Sequence, residues 1–475
     1  MSVTVSIAPI ATLLLALVVF KLKAWQAALA ALLVALAAAL FSFPEALPAS
    51  RIPGVMTEGF LFALSPICFV VVAALFTYAV TLESGAMLVI RSGLSSVSRD
   101  RRVLALLIVW GFGNFMEGMA GFGTAVAIPA ALLVGIGFDP VTSVVMCLVS
   151  NTTSTAFGSV GVPLVTLAEV SGVEVVSLTW MTVLLQLLVT ALGPVLILLA
   201  YGGVQALRGL WRMIFLSQAA FLIPWILSAR FLGCELPDIM GGLGVMLALV
   251  LSSRRRFSAG ALARQLSAWA PFGFVVAILS VNALLPPEIK KWLTPGALVL
   301  AAAFLGGLVQ KISLRRLAAL LLKTLAAYRA ALAAICCVLM LARLMAEAGM
   351  ISSIADFLVA ATGSAYPAVS AFVGALGGFV TGSGTSSCVL FGQLQADVAR
   401  ELGVEPRLFA AANVMGAGIG KMICPQSIAI GAAAAALARS ESVILRKTFL
   451  WFLFDLLLAT AVVWLFTFVK FGVGG

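Results

Sequence analysis

The tetrapeptide Gly121-Phe122-Gly123-Thr124 recurs later in the chain as Gly382-Ser383-Gly384-Thr385. Each copy lies inside an apolar run, residues 103–138 and 366–404, which has the length of two half-helices and is interrupted by small polar residues. A turn of the form Gly-X-acid-Pro follows each run and leads into a long apolar helix interrupted by glycine and polar residues. The same unit therefore occurs twice, and it predicts two hairpins, each followed by a broken helix.

The composition places this repeat in a membrane. Of the 475 residues, 63 % are hydrophobic and 10 % are charged, whereas about a quarter of the residues of a soluble domain are charged. At about 20 residues per span, the apolar residues suffice for roughly 14 or 15 spans and leave almost nothing for a soluble kinase, ATPase or DNA-binding module. Lys and Arg gathered in cytoplasmic loops explain the formal charge of +11, so we expect no nucleic acid partner.

The residue types also restrict the chemistry. The chain has no His, which removes the usual proton carrier near neutral pH, His-based metal sites and Ser-His-Asp catalysis. Its seven Cys fall mostly inside apolar runs without a CxxC pair, so neither a disulfide framework nor a zinc site is indicated. We expect no metal and no cofactor, and any proton chemistry must use carboxylates.

Hydropathy and charge together predict the topology. Loops rich in Lys and Arg, such as residues 91–102 and 208–212, are predicted to face the cytoplasm, and base-poor loops, including the one with Glu235 and Asp238, to lie outside. The sides alternate consistently only if both broken runs enter and leave on one side as re-entrant hairpins, with both chain ends outside. Twelve other apolar runs are long enough to span, near residues 3–20, 24–42, 60–80, 141–164, 176–200, 213–231, 238–252, 269–285, 294–310, 324–346, 407–437 and 447–469.

We therefore predict an all-α polytopic membrane protein with about 12 transmembrane helices plus two re-entrant hairpins in inverted-topology repeats. The repeats are inverted because an Arg-rich loop precedes the first hairpin, whereas residues 347–365 before the second contain no Lys or Arg. The predicted units are residues 1–202 with hairpin 103–138, connector helices 203–268, and residues 269–475 with hairpin 366–404. Paired interrupted segments in inverted halves indicate a transporter's binding site, although glycines also serve close helix packing.

One charged residue stands out in each repeat. Glu117 lies at the predicted tip of the first hairpin, where an acid costs several kcal/mol unless it is paired or protonated. We predict that Glu117 takes part in proton coupling. The alternative is a structural carboxylate that caps hairpin amides or pairs with a Lys. Lys421, in the interior of the second broken helix, is predicted to attract an anionic substrate. The alternative is that it forms a purely structural ion pair. Asp455 is a second proton-coupling candidate, and Arg343 and Glu347, at i,i+4, are predicted to form an interfacial ion pair.

Short hydroxyl, amide and glycine residues at the breaks supply neutral donors and acceptors, and exposed amides at half-helix N-termini favour a carboxylate. The combination predicts a site for a small hydroxylated anion. Its predicted substrate-binding residues are Gly121, Gly123, Thr124, Asn151, Thr152, Ser383, Thr385, Ser386, Ser387, Asn413, Lys421 and Gln426.

These two motif blocks resemble the signatures of the L-lactate permease family of bacterial secondary transporters. Residues 114–124, NFMEGMAGFGT, look like its first signature, and residues 381–383, 389–395, 411–413 and 420–430 look like its second. The resemblance implies a proton-coupled permease for L-lactate and related 2-hydroxymonocarboxylates such as glycolate, in a bacterial plasma membrane. Family members often have Asp where this chain has Gly384, which bears on the coupling ion, its stoichiometry and the substrate.

Our hypothesis is a secondary active transporter that imports lactate or a similar monocarboxylate together with at least one proton. A carrier coupled to sodium, or one for another organic anion such as a dicarboxylate or sugar acid, is the alternative; a channel and an integral membrane enzyme with Glu117 and Lys421 as an acid/base pair are more remote. The expected partners are a small carboxylate anion, protons or sodium, and the lipid bilayer. Assembly into a homo-oligomer is left open.

Overall fold

The computed structural model describes residues 3–121, 123–253, 259–290, 293–437 and 440–468. Within these ranges the chain folds into α-helices and contains no strand, so the all-α prediction is confirmed. The helices of the first half are α1 (Val3–Val18), α2 (Ala24–Ser42), α3 (Ile52–Phe62), α4 (Phe69–Glu83), α5 (Ala86–Ser95), α6 (Arg101–Ala105), α7 (Asn114–Met119), α8 (Thr124–Gly135), α9 (Pro140–Ser154), α10 (Gly158–Ser171) and α11 (Val175–Gly202).

The second half continues the same pattern after the pair of helices that the sequence predicts as a connector. Its helices are α12 (Trp211–Phe231), α13 (Pro237–Ser252), α14 (Ala259–Leu284), α15 (Pro287–Lys290), α16 (Pro295–Val309), α17 (Leu314–Glu347), α18 (Met350–Thr362), α19 (Pro367–Thr381), α20 (Gly384–Glu401), α21 (Pro406–Lys421), α22 (Pro425–Ala434) and α23 (Glu441–Phe468).

Eight helical segments of the described chain are long and apolar enough to cross a membrane, and the pair α21 and α22, bent by 46°, is a ninth if it counts as one span. Several other predicted spans are helices of 10–17 residues, such as α1, α13 and α16, which fall short of the roughly 20 residues that cross the hydrocarbon core without help. A multi-pass membrane protein is thus confirmed, while the total of twelve spans stays a prediction.

The predicted span at residues 60–80 is longer than expected and is broken. The apolar segment runs from Ile52 to Glu83, and at Ser65 the backbone leaves the helical region, with φ −137° and ψ 118°. Pro66 follows directly, and the residue before a proline is pushed toward extended conformations by the proline ring. This third break was not predicted from the sequence.

Both predicted hairpins are present as pairs of packed helices. α6, residues 106–113 and α7 form one continuous helical rod of 19 residues, and α8, which begins after Gly123, packs back against it. α19 and α20 form the second pair, joined at Gly382 and Ser383. Their re-entrance and their inverted orientation stay predictions, because no membrane boundary is part of the fold itself.

Glycines bring the second hairpin unusually close to the broken helix behind it. A Cβ at Gly416 would lie 2.0 Å from the Ala371 carbonyl oxygen, and one at Gly420 would lie 1.9 Å from that of Ala375. α19 and α21 therefore pack backbone to backbone, as small residues allow between membrane helices. The glycines that seemed to interrupt this helix serve packing, and α21 stays helical through Lys421.

The helices form two groups that meet at the centre. α2, α3, α4, α5, α14, α16 and α17 pack mainly with one another, whereas α7 to α13 and α19 to α23, which include both hairpins and both broken helices, form the other group. The predicted ion pair between Arg343 and Glu347 is wrong. Arg343 lies 3.5 Å from Glu58, and Glu347 lies 3.6 Å from Arg51, because both side chains of α17 reach the neighbouring α3 and the residue before it.

Candidate functional site

A cavity of about 120 Å³ lies where the two hairpin turns meet the two helix breaks. Its floor and sides come from both repeats, and α2 and α17 close it with the small apolar side chains Ala24, Ala331, Ala334 and Ile335. Liquid water takes about 30 Å³ per molecule, so the space matches a few waters or one very small acid. Drug-sized pockets are larger, at roughly 300–1,000 Å³.

Each hairpin turn is clamped onto the break of its own repeat. Ser159 donates a hydrogen bond of 3.0 Å to the Ala120 carbonyl oxygen, and a Cβ at Gly121 would lie only 2.1 Å from the Ser159 hydroxyl. In the second repeat a Cβ at Gly382 would lie 2.8 Å from the Gln426 side-chain oxygen. Gly121 and Gly382 both have positive φ, 60° and 66°, a conformation that glycine adopts without steric cost.

Four helices begin at this cavity. α8 starts after Gly123, α20 starts after Ser383, and α22 starts at Pro425, and all three starting points are within or next to the cavity lining. The fourth is α10, where Ser159, Val160 and Gly161 take left-handed conformations before the regular helix continues. Left-handed non-glycine residues are strained, and such strain concentrates at functional sites.

The helix starts give the cavity a positive electrostatic character. The first amides of each helix lack intrahelical acceptors, and the helix dipole places about half a positive charge at the N-terminus. Ser383 satisfies one of these amides, since its side-chain oxygen accepts from the Ser386 backbone N–H at 3.2 Å. The other amides, the hydroxyls of Thr385 and Ser386, and Gln426 can receive an anion.

The two charged residues singled out from the sequence meet here. Lys421 Nζ lies 2.8 Å from Glu117 Oε1, and the residues are 6 % and 2 % exposed. α7 carries the carboxylate and α21 carries the ammonium, so the pair joins the two repeats across 304 positions of sequence. Glu117 Oε2 is buried without a hydrogen-bond partner among the described residues. Glu117 and Lys421 thus line the cavity as an ion pair.

The structure brings eight of the predicted site residues to the cavity. These are Glu117, Gly121, Gly123, Ser383, Thr385, Ser386, Lys421 and Gln426. It also adds hydroxyls that the sequence analysis did not select, namely Thr155, Ser159, Thr381 and Ser427. Thr155 occupies the position in the first repeat that corresponds to Lys421 in the second, and this equivalence was the available signal for it.

The other five predicted binding residues are buried behind the cavity wall, and their side chains hydrogen-bond to other protein groups, four of them to backbone carbonyls. The Thr124 hydroxyl donates to the Gly121 carbonyl oxygen at 2.8 Å and closes the first hairpin turn, and Ser387 donates to the Gly374 carbonyl oxygen at 3.0 Å. Asn413 Nδ2 donates to the Ser387 carbonyl oxygen at 3.4 Å. The Thr152 hydroxyl donates to the Val149 carbonyl oxygen within α9, and the Asn151 side-chain oxygen accepts from the Thr155 hydroxyl just beyond this helix. We expect these five residues to shape the site without touching the substrate.

Gly384 is required by the neighbouring repeat. A Cβ at this position would lie 2.5 Å from Thr155 Cγ2, so no side chain fits while Thr155 keeps its place at the first helix break. The packing around the cavity therefore excludes an acidic side chain at this position, and the negative charge of the site comes from Glu117.

Two further carboxylates are buried nearby. Asp455 on α23 is fully buried beside Thr152, and neither of its oxygens has a hydrogen-bond partner of ordinary geometry among the described residues. It does not line the cavity, and its role in proton coupling stays a prediction. Asp238 was predicted where an outer loop meets the span 238–252; it lies in the first turn of α13 and is 1 % exposed.

Comparisons with known proteins agree with this architecture. The sequence model of the L-lactate permease family matches residues 2–294 and 288–470. The L-lactate permease of Streptococcus iniae is 36 % identical over 441 residues, covering 86 % of this chain and 92 % of that protein. The L-lactate permease of Bacillus subtilis is 31 % identical, with 98 % and 96 % covered, and the glycolate permease GlcA of Escherichia coli is 30 % identical, with 94 % and 92 % covered.

The fold is also similar to that of a solved transporter. The crystal structure of the YdaH transporter of Alcanivorax borkumensis superposes with a TM-score of 0.50 at 16 % identity, covering 88 % of this chain and 87 % of that one. This likeness concerns the fold alone. The match of the family model and the high coverage of the relatives confirm a multi-pass permease of the bacterial plasma membrane and not an enzyme. The chain belongs to the L-lactate permease family.

Proposed function

We propose that this protein is a secondary active transporter that moves L-lactate or a related 2-hydroxymonocarboxylate, such as glycolate, together with a proton. The observation that carries the proposal is the buried ion pair between Glu117 and Lys421, 2.8 Å long, in a small cavity ringed by helix N-termini. A carboxylate substrate and a titratable partner are both accommodated there. Relatives are named for lactate and for glycolate, two acids that share the 2-hydroxycarboxylate group.

The substrate carboxylate binds by competing for Lys421. An ammonium group has three N–H donors, so an arriving carboxylate can share it with Glu117 or displace Glu117 from it. The N-terminal amides of α20 and α22 complete the anion site. The hydroxyls of Thr385 and Ser386 and the amide of Gln426 are the groups suited to the substrate's 2-hydroxyl, because each can donate and accept.

Proton coupling follows from the cost of a lone buried charge. Once a substrate anion has taken Lys421, the Glu117 carboxylate is left at 2 % exposure without its counter-ion, and an unpaired charge at membrane depth costs several kcal/mol. Protonation of Glu117 removes that cost. Carrying a monoanion inward against about 100 mV, negative inside, would require about 2.3 kcal/mol, and one accompanying proton cancels that charge.

Access alternates as the hairpin-bearing helices move against α2 and α17. Those two helices present Ala24, Ala331 and Ala334 to the cavity, a smooth wall past which the hairpin turns can slide. Two inverted repeats, residues 1–202 and 269–475, with residues 203–268 as a connector, each contribute one hairpin and one of these two wall helices. The doubled arrangement of hairpin turn, clamped break and helix N-terminus supports this division, since substrate sites of such carriers lie at the repeat interface.

Uptake into proteoliposomes tests the proposal. An imposed pH gradient, acidic outside, is expected to drive labelled L-lactate above its electrochemical equilibrium, and glycolate is expected to compete. Uptake that follows a sodium gradient and ignores the pH gradient would establish the alternative coupling ion. Uptake that never exceeds equilibrium would identify a channel, and competition only by dicarboxylates or sugar acids would replace the substrate class.

A further inference from the structure

A second buried carboxyl lies directly behind the hairpin that carries Glu117. Asp238, in the first turn of α13, is 1 % exposed, and a Cβ at Gly118 would lie 3.1 Å from Asp238 Cβ. Asp238 therefore packs against the residue that directly follows Glu117 on α7. Ionisable groups that interact strongly exchange their protons as a pair and not as separate sites.

In each of these carboxyls, one oxygen has a hydrogen-bond donor and the other has none among the described residues. Asp238 Oδ1 accepts a hydrogen bond from the Trp225 indole N–H at 3.0 Å, and Glu117 Oε1 accepts from Lys421. Asp238 Oδ2 and Glu117 Oε2 are buried and have no hydrogen-bond partner among the described residues. Because a buried acceptor without a donor is unfavourable, two such oxygens in neighbouring carboxyls indicate a place for a proton.

We propose that Asp238 holds the coupling proton in the substrate-free carrier and passes it to Glu117 when a substrate anion binds Lys421. The inference rests on the proposed proton-coupled function and deepens it by assigning the group that supplies the proton. In the transfer an O–H bond at Asp238 breaks and one at Glu117 forms. A proton from the water outside then restores Asp238.

Charge counting supports the proposal. The cluster contains one cation, Lys421, and two carboxyls, Glu117 and Asp238, so it is neutral only when it holds one proton. A bound monoanion adds one negative charge, and neutrality then requires a second proton. Because net charge is strongly disfavoured at membrane depth, each substrate monoanion brings one proton with it, and the resident proton is ready before the substrate arrives.

A second cavity, distinct from the substrate cavity, lies beside the turn that leads to Asp238. A separate open cavity of about 570 Å³ is lined by Gly233, Cys234 and Glu235, which immediately precede α13, and by Glu169 at the end of α10. This cavity lies on the side of the base-poor loops that are predicted to face outward. In this scheme protons reach Asp238 from the side of this cavity, and the substrate enters through its own cavity.

The groups around Asp238 come from three directions. α7 contributes Glu117, the preceding turn contributes Cys234 and Glu235, and α12 contributes the Trp225 indole. Arg230, at the end of α12, stacks over the Trp180 ring at 5.7 Å. Trp225 also contacts the Phe157 ring edge to face, with centroids 5.5 Å apart, so the Asp238 partner touches the first helix break.

The test compares net transport with exchange in proteoliposomes. Asp238→Asn is expected to lower lactate uptake driven by a pH gradient at least about tenfold, and to flatten its pH profile. Exchange of labelled for unlabelled lactate, which needs no net proton movement, should stay within about threefold of wild type. Asp397→Asn, an acid paired with Arg400 at the end of α20, is the control and should leave both rates unchanged.

The outcomes separate this inference from the proposed function. If wild-type uptake ignores the pH gradient, the proton-coupled function itself fails. If wild-type uptake is proton-driven and Asp238→Asn matches it, or loses uptake and exchange in parallel while remaining folded, the role of Asp238 is overturned. Should Asn at this position not fold, Asp238→Glu and Asp238→Gln have the same size and differ in the carboxyl; only the Glu variant should retain proton-driven uptake.

Discussion

The ion pair between Glu117 and Lys421 can be tested with two single variants and their double variant. Each single variant should be less stable than the double variant. Glu117→Gln leaves an ammonium group at 6 % exposure without its counter-ion, and Lys421→Met leaves a carboxylate at 2 % exposure. The double variant removes both charges and keeps similar side-chain volumes. We expect each single change to destabilise the fold and the second change to restore most of the loss.

The magnitude follows from the burial. Removing one member of a buried ion pair costs about 3–5 kcal/mol, whereas replacing both with uncharged groups is often close to neutral. The coupling free energy from the double-mutant cycle should therefore be about 2 kcal/mol or more.

Thiol labelling provides the assay. Six of the seven cysteines are buried and the seventh is half-buried, so a thiol-reactive fluorescent maleimide reports unfolding of the detergent-solubilised protein. The same variants are assayed for uptake, where Glu117→Gln should abolish accumulation driven by a pH gradient. Single variants as stable as wild type, or effects that simply add in the double variant, would refute the reasoning that the pair is a mutually compensating charge unit.

Three other changes have definite expected outcomes. Gly384→Ala should lower the free energy of unfolding by about 1–3 kcal/mol through overpacking against Thr155 Cγ2, and Thr155→Ser in the same chain should restore part of it; a denaturation series with no rescue contradicts the contact. Gly420→Ala, which would place a methyl 1.9 Å from a backbone carbonyl oxygen of α19, should destabilise strongly, whereas Gly135→Ala, with nothing within 4 Å, should be close to neutral. The Asp100 carboxylate lies at the start of α6, and its hydrogen bond to the Arg102 guanidinium lowers its pKa. Its stabilising contribution is therefore present above the ordinary Asp range and is lost as pH falls through the lowered pKa. Thermal melts between neutral and strongly acidic pH should show this loss in wild type and not in Asp100→Asn.

Much of the site was predictable because its signals are local. The turn at Gly121 and Gly123 and the break before Pro425 depend on backbone preferences that neighbouring residues set. Glu117 and Lys421 stood out because ionisable groups are scarce in apolar runs. The errors have a local cause too: glycine at Gly416 and Gly420 looks the same in sequence whether it breaks a helix or lets two helices touch.

What could not be predicted depends on how each helix is rotated and which helix lies beside it. Thr385 lines the cavity and Ser387, two positions later, binds a backbone carbonyl of α19, because successive helical residues point about 100° apart. Asp238 comes directly after Glu235 and Pro237 in the chain, a pattern that is typical of an exposed loop. It is buried because α13 packs against α7.

The sequence by itself determined that the protein lies in a membrane, that its hairpin and broken-helix unit occurs twice, and that Glu117 and Lys421 are its unusual charges. These conclusions rest on hydropathy, spacing and turn chemistry, which act over a few residues. The tertiary structure decided that the two charges meet, that four helix N-termini converge on one small cavity, and that Asp238 stands behind Glu117. Contacts between residues 304 positions apart depend on how whole helices pack, and that information is not contained in any single stretch of chain.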